Sequence, residues 1–486
     1  MDPSSFVFAF AIGGDEAPGA GISYLVSFVN CGKRVASSFE NFLIFGANIK
    51  ETHTVVERYI RMLFADIKRL ESETHTITVG DKEVKVEFKL EALPNDLKNL
   101  AFLAGELPVS AHYFSTFANV HTDDINDTSK SYNNDCSSKE NSKEWKPWDY
   151  DKRLKDAVHV AKEKVRLAGK PRKSICDVIR FDRKSRQEHV PLVGKKIKKA
   201  KSECVHLKNN IAQFLFNKLL KVAKLETVVP RGILRYKDLP EDCLFVFLVA
   251  YVRKNMKCNQ LSKKLIKHFE LDPSFKTNFE VRFRGHESFQ FLQVFPKMIN
   301  ELKSLVKDEQ SLETLHNVFY QSILFRKLVS YSVRILDISL EDVAEMKKLG
   351  RSFFKASCLT SLSITPSLWT FANVAPIHCE EMMQHLGLGL GANTMEGREQ
   401  KHQSIKKYAK KTTPQNKWPM IFRHEYIQCV ELKEKGFDRT HYKTRSKQYV
   451  PKAEEGHCQE CCLPLTENAC DWCNSETILK LKEKCE

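Results

Sequence analysis

The stretch VKVEFKLEALPNDLKNLAFLAGEL, residues 84–107, decides how the chain is read. Val84, Val86, Phe88 and Leu90 alternate with Lys85, Glu87 and Lys89, the period of two expected of a half-buried strand. From Leu97 the apolar positions take helical spacing. Pro94, Asn95 and Asp96 stand between the two patterns. Asp96 is therefore either the N-cap of a new helix, accepting a backbone N–H, or one carboxylate of a metal site.

Upstream, FVFAFAI (6–12) is a short apolar run bounded by GGDEAPGAG, whose glycines and proline mark a turn. ISYLVSFVN (22–30) and KRVASSFENFLIFG (33–46) read as two further strands, rich in β-branched and aromatic residues. In HTVVERYIRMLFADIKRL (53–70), Val55, Val56, Tyr59, Ile60, Leu63, Phe64 and Ile67 recur with helical spacing. VKVEFKLEAL is then the fourth strand, and SAHYFSTFANV (110–120) is expected to supply a fifth. Residues 121–150 are polar and almost free of aliphatic side chains, which reads as a flexible connection. Residues 151–365 are mostly helical in pattern, as in NNIAQFLFNKLLKVAKL and SLETLHNVFYQSILFRKLVSYSVRIL. Helical character continues through 366–430, which contains NTMEGREQKHQSIKKYAKK. A basic connection, 431–456, leads to a cysteine-rich end, 457–486.

The totals frame this order. A chain of 486 residues is long enough for roughly three domains. Its 42% hydrophobic content fits a globular protein, and no run approaches the roughly 18 apolar residues of a membrane span. The formal charge of +16 favours polyanionic partners, DNA first among them. Basic runs at 170–173, 183–186 and 195–201 are candidate phosphate contacts. The N-terminus lacks the basic region of a secretory signal, so the 15 cysteines read as reduced and the expected compartment is the nucleus.

The expected fold class is an α/β RNase H-like core with a mixed five-stranded sheet, interrupted by a large helical insertion and followed by a small C-terminal zinc knuckle. In such a core one Asp lies on or just after the first strand, a second at or just after the fourth, and a third carboxylate arrives on a later helix. Two Mg²⁺ or Mn²⁺ ions about 3.5–4 Å apart need oxygen ligands from several directions, which this arrangement supplies. The candidates are Asp15, Asp96 and Glu399.

Several stretches resemble the catalytic core of the recombinase of V(D)J recombination and its relatives, the RAG-like and Transib-type DNA transposases. NFLIFGANIKETHTVVERYIRMLFADIKRLES resembles the segment running into that family's crossover helix. GGDEAPG resembles the turn with its first catalytic Asp, here Asp15. VKVEFKLEALPNDLKNLAFLAGEL resembles the strand and turn with its second, here Asp96. MEGREQKHQSIKKYAKK resembles the helix with its catalytic Glu, here Glu399, with Glu396 as the alternate. The likeness spans about residues 5–120 and 365–425. It implies a metal-dependent DNA endonuclease and strand-transferase that nicks one strand and uses the freed 3′-hydroxyl to form a hairpin. It also implies a homodimer and a kelch-propeller accessory subunit. Arg398, Lys401, His402, Lys406 and Lys407 surround the glutamate, and some of them are expected to touch scissile-strand phosphate.

Two departures accompany the likeness. The family ties its insertion with zinc, using a Cys-x-x-Cys and two histidines. Here Ser115-Thr116-Phe117-Ala118 occupies the cysteine positions, and only His378 matches a histidine, the other falling near Asn373. That zinc is not expected, and His378 reads as a satisfied histidine. Only 14 residues precede Asp15, where the family has a DNA-binding, dimer-forming segment. A truncated or domesticated, non-catalytic DNA-binding or chromatin-associated descendant is therefore the alternative function.

HCQECCLPLTENACDWCN (457–474) is the strongest local signal. Cys458-x-x-Cys461 and Cys470-x-x-Cys473 give paired thiolates suited to tetrahedral Zn²⁺, with His457 and Cys462 as alternate ligands. Trp472 is expected either to stack on a base or to pack on the metal turn.

Overall fold

The computed structural model describes residues 5–17, 21–134, 143–279, 282–360, 364–435 and 448–485. The chain divides into two compact units. One comprises Met1–Cys204, Val333–Leu340 and Val374–Arg445; the other comprises Val205–Ser332, Glu341–Asn373 and Ser446–Glu486.

The first unit is an α/β fold on a mixed five-stranded sheet. Its elements run β1 (Ser5–Ala17), β2 (Gly21–Phe28), β3 (Phe42–Ala47), α1 (Thr54–Ser72), β4 (His75–Val79), β5 (Lys82–Ala92) and α2 (Leu97–Leu103). The spatial order is β3-β2-β1-β5-β4, antiparallel throughout except that β1 and β5 run parallel. Helix α1 makes the crossover that a parallel neighbour requires. It buries Val56, Ile60 and Ile67 and stacks Tyr59 on Phe45 at 4.0 Å between centroids. A small-residue cluster, Ala9, Ala11, Val29, Val35 and Ala92, packs against Ile335 and Leu386.

Two expected strands differ. Residues 33–46 do not form one extended run: turns of 3₁₀ helix occupy Val29–Ala36 and Ser38–Glu40 before β3 begins. Gly32, at φ +65°, reverses the chain there, a conformation open mainly to glycine. Residues 110–120 form no ladder. Their Tyr113 makes only an isolated bridge to His121, while Phe114, Phe117 and Ala118 are buried among loops. The fifth strand is β4, paired with β5 across the two residues Gly80 and Asp81, with Val79 opposite Lys82. Alternation in THTITV beside a Gly-Asp pair is a hairpin signal present in the sequence.

The polar segment 121–150 is partly built into this unit. Ser131–Tyr132 pairs with Glu144–Trp145, and Tyr132, Trp145 and Trp148 are buried. Residues 135–142 of that segment, and 436–447 of the expected basic connection, lie outside the described residues.

The second unit is helical. Its long helices Gly285–Lys303 and Glu309–Ser332 bury Phe291, Phe295, Phe319 and Phe325, and it includes the cysteine-rich end. Among the described residues no helix is long and apolar enough to cross a membrane.

Backbone proximity at the end of β1 sets up the site. A Cβ on Gly13 would run into the Pro94 carbonyl oxygen and stand 2.9 Å from Arg398 Nε. Gly13→Ala is therefore expected to lower the unfolding free energy by about 1–3 kcal/mol, read as a lower urea midpoint. An unchanged midpoint would mean that β1 and the Pro94 turn are not in contact.

Candidate active site and metal centre

Asp15 lies near the C-terminal end of β1, opposite Ser23 of β2. Its carboxylate is partly exposed, and its Oδ1 accepts the Glu16 backbone N–H at 2.7 Å. Glu399 stands on the helix Glu396–Ala409. The two carboxylates bring oxygens within 4.8 Å of one another, although hundreds of residues separate them. Gly397 permits this approach, because a Cβ there would stand 2.7 Å from the Val35 carbonyl oxygen.

Asp96 is the N-cap of α2, and its Oδ1 accepts the Asn99 N–H at 2.7 Å. It does not join the close Asp15–Glu399 grouping. Its turn is nonetheless fastened to β1. The Gly14 N–H donates to Asn95 Oδ1 at 2.7 Å, and Asn99 Nδ2 donates to the Gly14 carbonyl at 2.6 Å. Glu51, missed in the sequence, belongs to the same acidic edge. Burial pushes its carboxyl up, against the pull of its Lys98 ion pair; Asp96 and Glu16 push it further.

Three of the five expected phosphate contacts are committed inside the fold. Arg398 is fully buried and donates to the carbonyls of Thr394 and Ala11 and to Ser27 Oγ. Burial pushes its pKa down to about 9. Lys401 is buried in an ion pair with Glu425 at 2.6 Å. His402, 3% exposed, sets Nε2 3.0 Å from Ser23 Oγ and Nδ1 3.7 Å from Asp15 Oδ2. On a helix packed against a sheet, the basic side chains on the inward face find internal acceptors instead of phosphate. Lys406 is half-buried and Lys407 exposed.

Some cations of the basic runs are also paired with carboxylates, while Lys170, Lys173, Lys184, Lys195 and Lys198 are exposed. Lys196 pairs with Glu71, Lys199 with Glu91 and Lys201 with Glu381. Arg183 binds Asp156, and buried Arg186 binds Glu106.

In the stretch Ser115-Thr116-Phe117-Ala118, Thr116 Oγ1 donates to buried Glu106 at 2.7 Å, and Arg153 donates to the Thr116 carbonyl at 2.7 Å. Phe117 meets His378 edge-on at 4.9 Å between ring centroids. Residues 115–118 thus meet His378 through an aromatic contact. His378 is buried, and its Nδ1 accepts the Ser202 N–H at 2.9 Å. Burial, reinforced by Lys201, pushes its pKa well below the usual range.

In the second unit the sulfurs of Cys458, Cys461, Cys470 and Cys473 gather within 4.8 Å of one another. Cys461 and Cys470 are 3.5 Å apart, and Cys458 and Cys473 are 3.8 Å apart. A disulfide needs about 2.05 Å, whereas a tetrahedron of Zn–S bonds near 2.3 Å has edges of about 3.8 Å. The donor set therefore fits a metal ion such as zinc. A hydrogen bond with Cys473 pulls Cys461 down to about 6, while burial, with Cys461 alongside, pushes Cys470 up to about 11. Neither alternate ligand joins. His457 Nδ1 lies 3.1 Å from the Glu455 carbonyl, and Cys462, at φ +64°, directs its thiol to the Pro451 carbonyl.

Trp472 packs inward. It stacks on Phe319 at 4.6 Å and donates Nε1–H to Asn300 Oδ1 at 2.7 Å, with Lys303 5.0 Å from its ring centroid. It is 2% exposed, so no face is left for a base.

Compared with protein-family models and with curated proteins, the chain matches none.

His378 gives a test of this arrangement. Its folded pKa lies below the unfolded value near 6.5. The stability contributed by the neutral ring is thus present above about pH 6.5 and is lost as pH falls, by up to about 1.4 kcal/mol per pH unit. Urea unfolding of His378→Gln, which keeps an acceptor for Ser202, is expected to show that much less loss between pH 7 and pH 5 than the parent. Parallel acid limbs would show that the ring is not held neutral.

Proposed function

We propose that Asp15, Asp96 and Glu399 form the two-metal centre of a RAG-like, Transib-type DNA transposase or recombinase, on an RNase H-like core. We further propose that the four C-terminal cysteines hold zinc. The observation that carries the first reading is the approach of Asp15 and Glu399 to within 4.8 Å. The strand order supports it in part: three strands in a meander, a crossover helix, the edge strand β4, and then β5 running parallel beside β1. Asp96 enters by position, because it follows β5 and its turn is bonded to Gly14.

In this reading Mg²⁺ or Mn²⁺ supplies activation of water or a 3′-hydroxyl and stabilisation of the leaving oxygen. The chain's own residues do the positioning. Asp15 and Glu399 present carboxylate oxygens from opposite ends of the sequence. His402 and Ser23 fix the Asp15 side of the pair. Buried Arg398 locks the glutamate helix to β1. Lys406 and Lys407 are the basic side chains of that helix left for DNA phosphate. The protein then acts in the nucleus as a homodimer, with a kelch-propeller accessory subunit.

A second reading is a domesticated, non-catalytic DNA-binding remnant. It is favoured by the commitment of Asp96 to a helix cap and of Arg398 and Lys401 to internal contacts. The two readings separate in a nicking assay with Mn²⁺ on hairpin-competent DNA. Asp15→Asn and Glu399→Gln are each expected to reduce nicking at least about 100-fold, several kcal/mol of transition-state stabilisation, while DNA retention is unchanged. Salt-sensitive DNA binding with no metal-dependent cleavage by the parent chain would leave the remnant reading standing.

For the cysteines, stripping zinc with a strong chelator is expected to destabilise the helical unit by several kcal/mol. The readout is a red shift of tryptophan emission that is lost in Trp472→Phe. Emission indifferent to chelation would remove the zinc assignment.

A further inference from the structure

Arg326, on the helix Glu309–Ser332, is 1% exposed. Its Nη2 donates to the Glu460 carbonyl at 2.6 Å, and the Phe295 ring lies 5.1 Å from its guanidinium carbon. Its Nε and Nη1 are buried without a hydrogen-bond partner among the described residues. The carboxylate of Glu460 is taken by Lys327 at 2.9 Å. Glu460 stands between Cys458 and Cys461, so the guanidinium lies beside that cysteine knuckle.

A guanidinium shut away from water and lacking an anion is costly, and a set of neutral thiols does nothing to relieve it. Four thiolates round one divalent ion change the balance, because two of their negative charges are left uncompensated. A cation beside the sulfurs then stabilises the centre and makes the thiolates less basic and less nucleophilic.

We propose that Arg326 is the counter-charge of a tetrathiolate metal centre, the residue that sets its metal affinity and shields its sulfurs from electrophiles. This rests on the zinc reading of the cysteines and is independent of the carboxylate site. Arg326 is bonded to the Glu460 carbonyl, next to Cys461, and does not reach the ion, so it is a positioning residue. The helix that carries it also carries His316 and Phe319, which pack on Trp472, so the same element grips the cysteine-rich end by charge and by stacking.

The test uses the full chain loaded with zinc, titrated with a competing chelator, and in parallel treated with iodoacetamide while zinc release is followed. Arg326→Met, which keeps the side chain's length without its charge, is expected to bind zinc about 10–100-fold more weakly and to lose it faster on alkylation. Arg326→Lys, which keeps the charge, is expected to stay within about tenfold of the parent. Unchanged affinity and alkylation rate in Arg326→Met overturn the proposal. So does a loss in Arg326→Lys as large as in Arg326→Met. If Arg326→Met does not fold, Arg326→Lys decides alone, a loss beyond about tenfold counting against. A parent chain that takes up neither zinc nor cobalt would refute the cysteine reading itself, a result distinct from either variant outcome.

Discussion

The hydrogen bonds that tie Gly14 to Asn95 and Asn99 are the constraint on which the first unit's candidate site depends. They join the end of β1 to the turn after β5, so the two parallel strands finish at one edge with fixed register. Arg398 adds the third member, reaching from the glutamate helix to Ala11 and Ser27. Glycines at 13 and 397 make the contacts sterically possible. The site is thus an assembly of backbone approaches first and of carboxylates second. Asp15 and Glu399 meet because the elements that bear them are locked together by neutral amides and one buried guanidinium.

The distribution of cations follows a related logic in both units. The chain carries +16, yet many of its conspicuous basic residues face inward. Arg153 and Arg186 close on Glu106, Lys401 closes on Glu425, and Lys196, Lys199 and Lys201 are shared with carboxylates of the same unit. Burying a charged partner is tolerable only when the charge is matched and its donors are used. Arg326 is buried against the Glu460 carbonyl, with Nε and Nη1 left without a hydrogen-bond partner among the described residues.

Much of the architecture was legible before any coordinates. Alternation at 84–90 gave β5, the helical spacing at 53–70 gave α1, and the paired Cys-x-x-Cys spacing singled out the four sulfurs that gather. The strand misplaced at 110–120 shows the limit. Phe114 and Phe117 look like strand residues because they are buried, but they are buried from loops, and apolar content does not distinguish the two. The segment 121–150 looked flexible for want of aliphatics, while Trp145 and Trp148 anchor it in the fold.

The sequence by itself determined which side chains are candidates for chemistry and much of the local structure that bears them, because strand period, helix period, turn residues and ligand spacing are properties of neighbouring residues. Only the tertiary structure decided which of those side chains meet and which charges are spent. It placed Glu399 beside Asp15, left Asp96 as a cap, turned Trp472 inward and set Arg326 beside the cysteine knuckle. The physical reason is that contact between distant residues, and the desolvation that commits a charge to a partner, depend on packing across the whole unit, which no window of sequence contains.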